Sequence, residues 1–298
     1  MLILLPPSET KTRPAEEGHR PLDLDELALP ALREARGTML RAAHRTAAGS
    51  DAASRLGVPA SSPELVGRML HLEQEPAAAP LGVYSGVLYD QLEPGAEIPG
   101  DRRVLVQSAL LGLVDAGWDR IPAYRLSASS QLSRLGKAGS WWAPRLTPIA
   151  GQLREEEAAG SSPLVVDCRS GSYRSMMAMR SGDGVRMLEV APVQDSGGVR
   201  KVISHDAKRY RGLVTRVLLA AETAPATAEE LVDVVGEGLA GVSGRGSSRL
   251  GVELGGHHPW ALRLPFVLTG ACIPWLVAKI SARWFGARAG WQAGLLTV

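Results

Sequence analysis

The chain has 298 residues, room for one large or two medium domains, and its 45% hydrophobic content is ample for a sizeable core, which excludes a disordered or fibrous protein. A net charge of +2 is too small to demand an anionic partner, and two cysteines far apart, Cys168 and Cys272, exclude a disulfide scaffold and a cysteine zinc site. The charge is nevertheless uneven: Val199 to Leu218 holds six Lys or Arg against Asp206 alone, and Gly241 to Val298 holds six against Glu253 alone, local excesses that call for an electrostatic reason.

Taken in order, Met1 to Leu5 is an apolar run stopped by Pro6-Pro7, which predicts an interior strand entering a rigid turn. No basic n-region precedes it, so the start reads as a strand rather than a secretory signal, and with only two thiols a reducing cytoplasm is expected. Ser8, Glu9, Thr10 and Lys11 follow at the strand end, where two hydroxyls and an ammonium face a cleft or form an ordinary surface turn. Asp23 to Ala47 predicts two helices broken at Pro30, and Ser62-Pro63-Glu64 opens another with Leu65, Met69 and Leu72 at helical spacing. Glu73 to Pro80 (EQEPAAAP) reads as a low-complexity connector, and no period separates helix from strand in the GVYSGVLYDQL that follows. Arg103 to Leu113 predicts a buried strand with its continuation. It leads into a structured loop, GLVDAGWDRIPAYRL, in which Asp115, Tyr124 and Arg125 stand out and the Tyr-Arg pair suits a packing clamp as readily as chemistry.

Trp141-Trp142, just before Pro144 and Pro148, is expected in a turn or at a helix start. Pro163 to Cys168 predicts a second buried strand whose end presents Asp167, Arg169, Ser170, Ser172, Tyr173 and Arg174, and strand ends are where α/β proteins bind ligands. Val185 to Val193 and Val199 to Ser204 read as a hairpin around QDSGG. From Ala207 the residues Tyr210, Leu213, Val214, Val217 and Leu218 mark one buried helical face; Lys208, Arg211, Gly212, Thr215 and Arg216 lie opposite, with Arg209 at the border. Cations fixed on one rigid face suit phosphate oxygens, although a solvated helix face looks the same. Gly212, unfavourable by roughly 1 kcal/mol against Ala in a helix, fits a close approach of another backbone or a ligand. Thr227 to Glu230 forms a capping box, and the VGEGLAG that follows has the look of a helix-hairpin-helix glycine turn or a capping glycine. LGVEL and HPWALRLPFVL predict closing strands; His257-His258 lacks further ligands for a metal, and Leu264 to Ile280, 17 residues with two prolines and a lysine, is too short and interrupted to span a membrane.

Three of these stretches, MLILLPPSETK, LVQSALLGLVDAGWDRIPAYRL and HDAKRYRGLVTR, occur in an order and at separations that resemble the YaaA family of peroxide-stress proteins. The resemblance spans roughly residues 1 to 270. It implies a single compact α/β domain, with α and β mixed around one mixed central sheet, cytoplasmic residence and a positively charged cleft. It also implies DNA binding and a role in limiting damage by hydrogen peroxide and iron. It picks out Ser8, Thr10 and Lys11 in the first turn, Tyr124 and Arg125 in the second stretch, and Lys208, Arg211, Gly212 and Arg216 in the helix. Residues 271–298 extend past the pattern, with no role assigned.

Two functions follow. As a protein that binds duplex DNA without sequence preference, the chain would contact phosphates through Lys11, Tyr124, Arg125, Arg169, Lys208, Arg209, Arg211 and Arg216. As an enzyme acting on a phosphate-bearing or nucleobase-containing small molecule, it would draw its catalytic groups from Ser8, Lys11, Asp167 and Lys208. Iron sequestration ranks last, since no facial triad or Glu-x-x-His is present. Neither a cofactor nor a metal is expected.

Overall fold

The structure, a computed structural model, describes residues 1–93, 95–196, 199–202, 206–240 and 249–255. Strand β1 (Leu2–Leu5) is buried at every position because it lies between two parallel neighbours, so it needs no polar alternation. In chain order there follow helix α1 (Arg33–Ala47), strands β2 (Arg103–Ser108) and β3 (Gly112–Asp115), helix α2 (Ala138–Ala158), strands β4 (Leu164–Asp167), β5 (Arg186–Ser196) and β6 (Val199–Val202), helices α3 (Ala207–Ala220) and α4 (Ala228–Ala240), and strand β7 (Arg249–Gly255). The mixed seven-stranded sheet runs β6-β5-β4-β1-β2-β3, with β7 paired to β5. Pairs β1/β2, β1/β4 and β4/β5 are parallel; the edges β2/β3, β5/β6 and β5/β7 are antiparallel. Leu4 stands opposite Asp167 and Leu5 opposite Val106, so the three central strands end side by side. A mixed α/β domain is therefore what the chain builds, with one continuous core around this sheet.

Several expectations need correction. No helix precedes Pro30: Asp25 N donates to the Asp23 carboxylate and Ala28 N to Asp119 Oδ1, so this backbone is satisfied by side chains, and only a 3-10 turn (Pro30–Leu32) leads into α1. The supposed connector is core: Ala77–Ala78 pairs with Ile121–Pro122, and buried Glu75 holds Arg13 at 2.7 Å. Trp141-Trp142 stands where it was expected, near the start of a helix, α2, which continues through Pro144 and Pro148 because both prolines are exposed and the carbonyls they leave unpaired can reach water. Trp142 is fully buried and its ring fills the space over Gly112 (φ +75°), where a Cβ would come within 2.8 Å of it. The first part of the expected loop, Gly112–Asp115, is strand β3.

In α3, Gly212 and Thr215 are buried and Arg211 is half-buried, so the helix is covered on more than the one face that its periodicity marks. A Cβ at Gly212 would overlap the Leu88 carbonyl oxygen and meet Gln91 at 2.9 Å; the close backbone approach expected there is made by the 3-10 turn Tyr89–Gln91. Of VGEGLAG, residues 235–240 form no hairpin turn but the body of α4, where a Cβ at Gly238 would strike Val217 of α3, and its last glycine lies outside the described residues. The Thr227 half of the capping box is formed, Glu230 N donating to Thr227 Oγ1 at 3.2 Å, while the Glu230 carboxylate reaches one residue further back and accepts from Ala226 N at 2.8 Å. His257-His258, Leu264 to Ile280 and residues 271–298 lie outside the described residues; among the described ones, no helix is long and apolar enough to cross a membrane.

Candidate functional site

At the end of β1 the chain turns through Pro6-Pro7, and Tyr89 Oη donates to the Pro6 carbonyl at 2.7 Å. The next residues pair with the stretch around Tyr84: Lys11 bridges Tyr84, Ser85 N donates to the Thr10 carbonyl at 3.2 Å, and Thr10 Oγ1 donates to the Ser85 carbonyl at 3.0 Å. Gly86 (φ +97°) turns the partner segment away, and a Cβ there would press on Thr10 Oγ1 at 2.9 Å. This packing folds Lys11 back on its own turn, so that its ammonium donates to the Ser8 carbonyl at 2.6 Å. The Nζ atom stands 4.0 Å from the Tyr124 ring centroid and 5.2 Å from that of Tyr84. Ser8 Oγ and Thr10 Oγ1 lie 3.1 Å apart on the accessible side.

The rings beneath the amine are fixed by one another. Tyr124 Oη lies 2.9 Å from Tyr84 Oη and 2.8 Å from Ser108 Oγ, which also accepts from Leu111 N at 2.9 Å; Tyr84 stacks on Tyr89 at 5.3 Å. Burial pushes the phenols of Tyr84, Tyr89 and Tyr124 well above their ordinary range, so all three stay protonated. Burial of the amine, with the Arg125 cation adding to it and Glu9 opposing, lowers Lys11 from 10.5 to about 7. Arg125 donates to the Gly57 and Glu9 carbonyls at 2.9 and 3.2 Å and to the Glu9 carboxylate at 3.0 Å, and so ties the first turn to the second stretch. The Tyr-Arg pair thus forms the packing clamp, with the Tyr124 ring set against the Lys11 amine.

Asp167, at the end of β4, belongs to a second, interior cluster. Its carboxylate and the Arg169 guanidinium form a two-pronged pair at 2.8 and 2.9 Å with both side chains fully buried; Arg169 also donates to Gln107 Oε1 and the Met177 carbonyl. Arg174 approaches Asp167 at 3.5 Å and Glu189 at 2.5 Å. Arg211 Nε donates to the Val190 carbonyl at 3.3 Å, and burial lowers its proton affinity. Cys168, beside it, is buried and pushed up to about 12 for the same reason.

The structure thus brings Ser8, Thr10, Lys11, Tyr124 and Arg125 together, with Asp167 and Arg169 at the end of the adjacent strand. Arg169 is spent on Asp167 inside the core, away from any accessible surface, and Arg211 turns inward. Lys208 is exposed on the first turn of α3, where no hydrogen bond or ion pair among the described residues joins it to Lys11 or Asp167; Arg209 and Arg216 are partly exposed on the same helix. Ser108 and Tyr84 were missed as site residues, since a serine ending a buried strand and a tyrosine in an aperiodic stretch give no local signal.

A sequence model of the peroxide stress protein YaaA family matches residues 1–242. The chain belongs to that family. This YaaA-family chain is 37% identical over 240 residues to a UPF0246 protein of Corynebacterium efficiens, a match covering 78% of this chain and 91% of that protein. It is 36% identical over 242 residues to a UPF0246 protein of Streptomyces coelicolor, covering 79% and 89%. Residues 1–242, which the family model matches, contain the Lys11 site and the Asp167 cluster.

Proposed function

We propose that this peroxide-stress protein works in the cytoplasm through the enclosed amine of Lys11, which accepts a proton from a small phosphate-bearing or nucleobase-containing molecule. One observation carries the reading: the amine sits against the rings of Tyr124 and Tyr84, beside the Arg125 cation, with no carboxylate at ion-pair distance among the described residues. A lysine so placed exchanges its proton near neutrality, the condition for a general base. Ser8 and Thr10 offer hydroxyls to a polar ligand on the accessible side. The test is thermal denaturation with adenosine, AMP, ADP and inorganic phosphate, for the wild type and Lys11→Met. A saturable rise in Tm confined to the wild type is expected; no rise with any of them removes the reading.

A second reading, duplex-DNA binding that limits iron- and peroxide-driven damage, is favoured by the accessible Lys208 and Arg209 in the first turn of α3, where the helix dipole adds to their attraction for phosphate. With Arg169 engaged in the core and Arg211 turned inward, Lys208, Arg209 and Arg216 are the cations of this helix left for phosphate. The affinity should fall with salt on a shallow slope that flattens further in Lys208→Ala/Arg209→Ala.

A further inference from the structure

We infer that Lys11 is an amine nucleophile that captures a small aldehyde as a covalent imine. The inference rests on the reading of Lys11 as the working group of its site and adds a bond-forming step to it.

The geometry favours the neutral amine. An ammonium has three protons to donate, and among the described residues Lys11 has one hydrogen-bond acceptor, the Ser8 carbonyl at 2.6 Å, with aromatic faces on another side. Two fully buried cations are served differently: Arg36 donates to the carbonyls of Leu111, Ala28 and Leu113, and Arg169 to Asp167, Gln107 and Met177. Arg36 and Arg169 thus each hold their charge on three partners, whereas the half-buried Lys11 turns its amine onto one carbonyl and two aromatic faces beside the Arg125 cation. The choice of residue agrees. Of 33 basic residues only five are lysines, at positions 11, 137, 201, 208 and 279. Arginine, which carries most of the charge, cannot lose its proton at any accessible pH, and lysine can. The lowered proton affinity is a consequence of the same enclosure: about half of Lys11 is neutral near pH 7, against less than roughly one part in a thousand for an exposed lysine.

The chemistry balances without an oxidant or reductant. The nitrogen lone pair attacks the carbonyl carbon, the C–N bond forms, and the carbonyl π electrons move to oxygen, which takes a proton released by nitrogen. The C–O bond of this carbinolamine then breaks, the oxygen leaves as water with the second nitrogen proton, and a C=N bond remains. Ser8, whose carbonyl touches the amine, and Thr10, 3.1 Å from the Ser8 hydroxyl, can carry the proton to the departing oxygen; the nearby Arg125 cation stabilises the transient alkoxide.

The test uses the full chain at pH 7 with propionaldehyde and sodium cyanoborohydride, which reduces the imine to a stable propylamine, followed by peptide mass mapping over time. Lys11 should be alkylated at least about tenfold faster than the exposed Lys137 and Lys208. Alkylation of Lys11 at or below their rate overturns the inference, and because all three lysines are compared within one folded molecule, no variant is needed. The pH dependence of Lys11 labelling by acetic anhydride separates the two readings. A midpoint near 7 without imine trapping leaves the proton-transfer role standing and removes the imine; an ordinary lysine midpoint removes both.

Discussion

Replacing Lys11 by methionine keeps most of the unbranched side chain and removes its charge, and the consequence for stability is set by linkage. The folded chain holds Lys11 at about 7 against 10.5 for the free side chain, so between those values the unfolded chain binds more protons than the folded one, and stability rises with pH across that window. Below pH 7 the penalty for charging the enclosed amine is fully present; it fades as the unfolded chain too loses its proton. At about 1.4 kcal/mol per unit, and allowing for half-titration at pH 7, wild type should recover about 2 kcal/mol between pH 7 and pH 9. Lys11→Met lacks this term. Lost contacts to the Ser8 carbonyl and the Tyr124 ring shift its stability by a constant, while other titrating groups, Cys168 included, are common to both proteins. Urea denaturation at pH 6, 7, 8 and 9 should therefore show the variant most favoured at pH 6 to 7, with the difference shrinking by about 2 kcal/mol by pH 9. A difference that stays within about 0.5 kcal/mol across the series would refute the enclosure of the amine.

Three further outcomes test the surrounding framework. Gly212→Ala drives a methyl into the Leu88 carbonyl and Gln91 and should destabilise the fold by about 2–3 kcal/mol in denaturant titration; a loss below about 0.5 kcal/mol would mean that the Tyr89–Gln91 turn is not seated on α3. Asp167→Asn leaves Arg169 fully buried with its pair broken and should cost about 3–5 kcal/mol, read as a lowered urea midpoint at pH 7. Cys168, buried and pushed up to about 12, should resist iodoacetamide at pH 8 in the native protein and react once urea unfolds it, as peptide mapping will show; rapid native labelling would contradict its burial.

Strand β1 was legible because a strand with parallel partners on both sides is apolar throughout, and Met1 to Leu5 are nothing else. The hairpin β5/β6 and the capping box at Thr227 were legible for the same reason: their signals are local. Expectations failed where a distant partner supplied what the local pattern lacked. Asp119 takes the place of a helical carbonyl for Ala28, and Ile121–Pro122 turns an alanine-rich connector into a paired strand. On α3 the period marked one buried face, while the 3-10 turn at Tyr89–Gln91 and the sheet at Val190 cover part of the other.

By itself the sequence determined the family, the mixed α/β class and the candidate residues: a lysine after a strand and turn, a Tyr-Arg pair, and a basic helix. Only the tertiary structure decided which of them stand together. Lys11 and Tyr124 are far apart in the chain, yet the bridge of Lys11 to Tyr84 and the pairing of Ala77–Ala78 with Ile121–Pro122 draw their segments together and set the amine 4.0 Å from the ring. The same fold draws Arg169 and Arg211 inward. Sequence gives a side chain its charge and reach, but its solvation and hence its proton affinity belong to the enclosure that distant segments build around it.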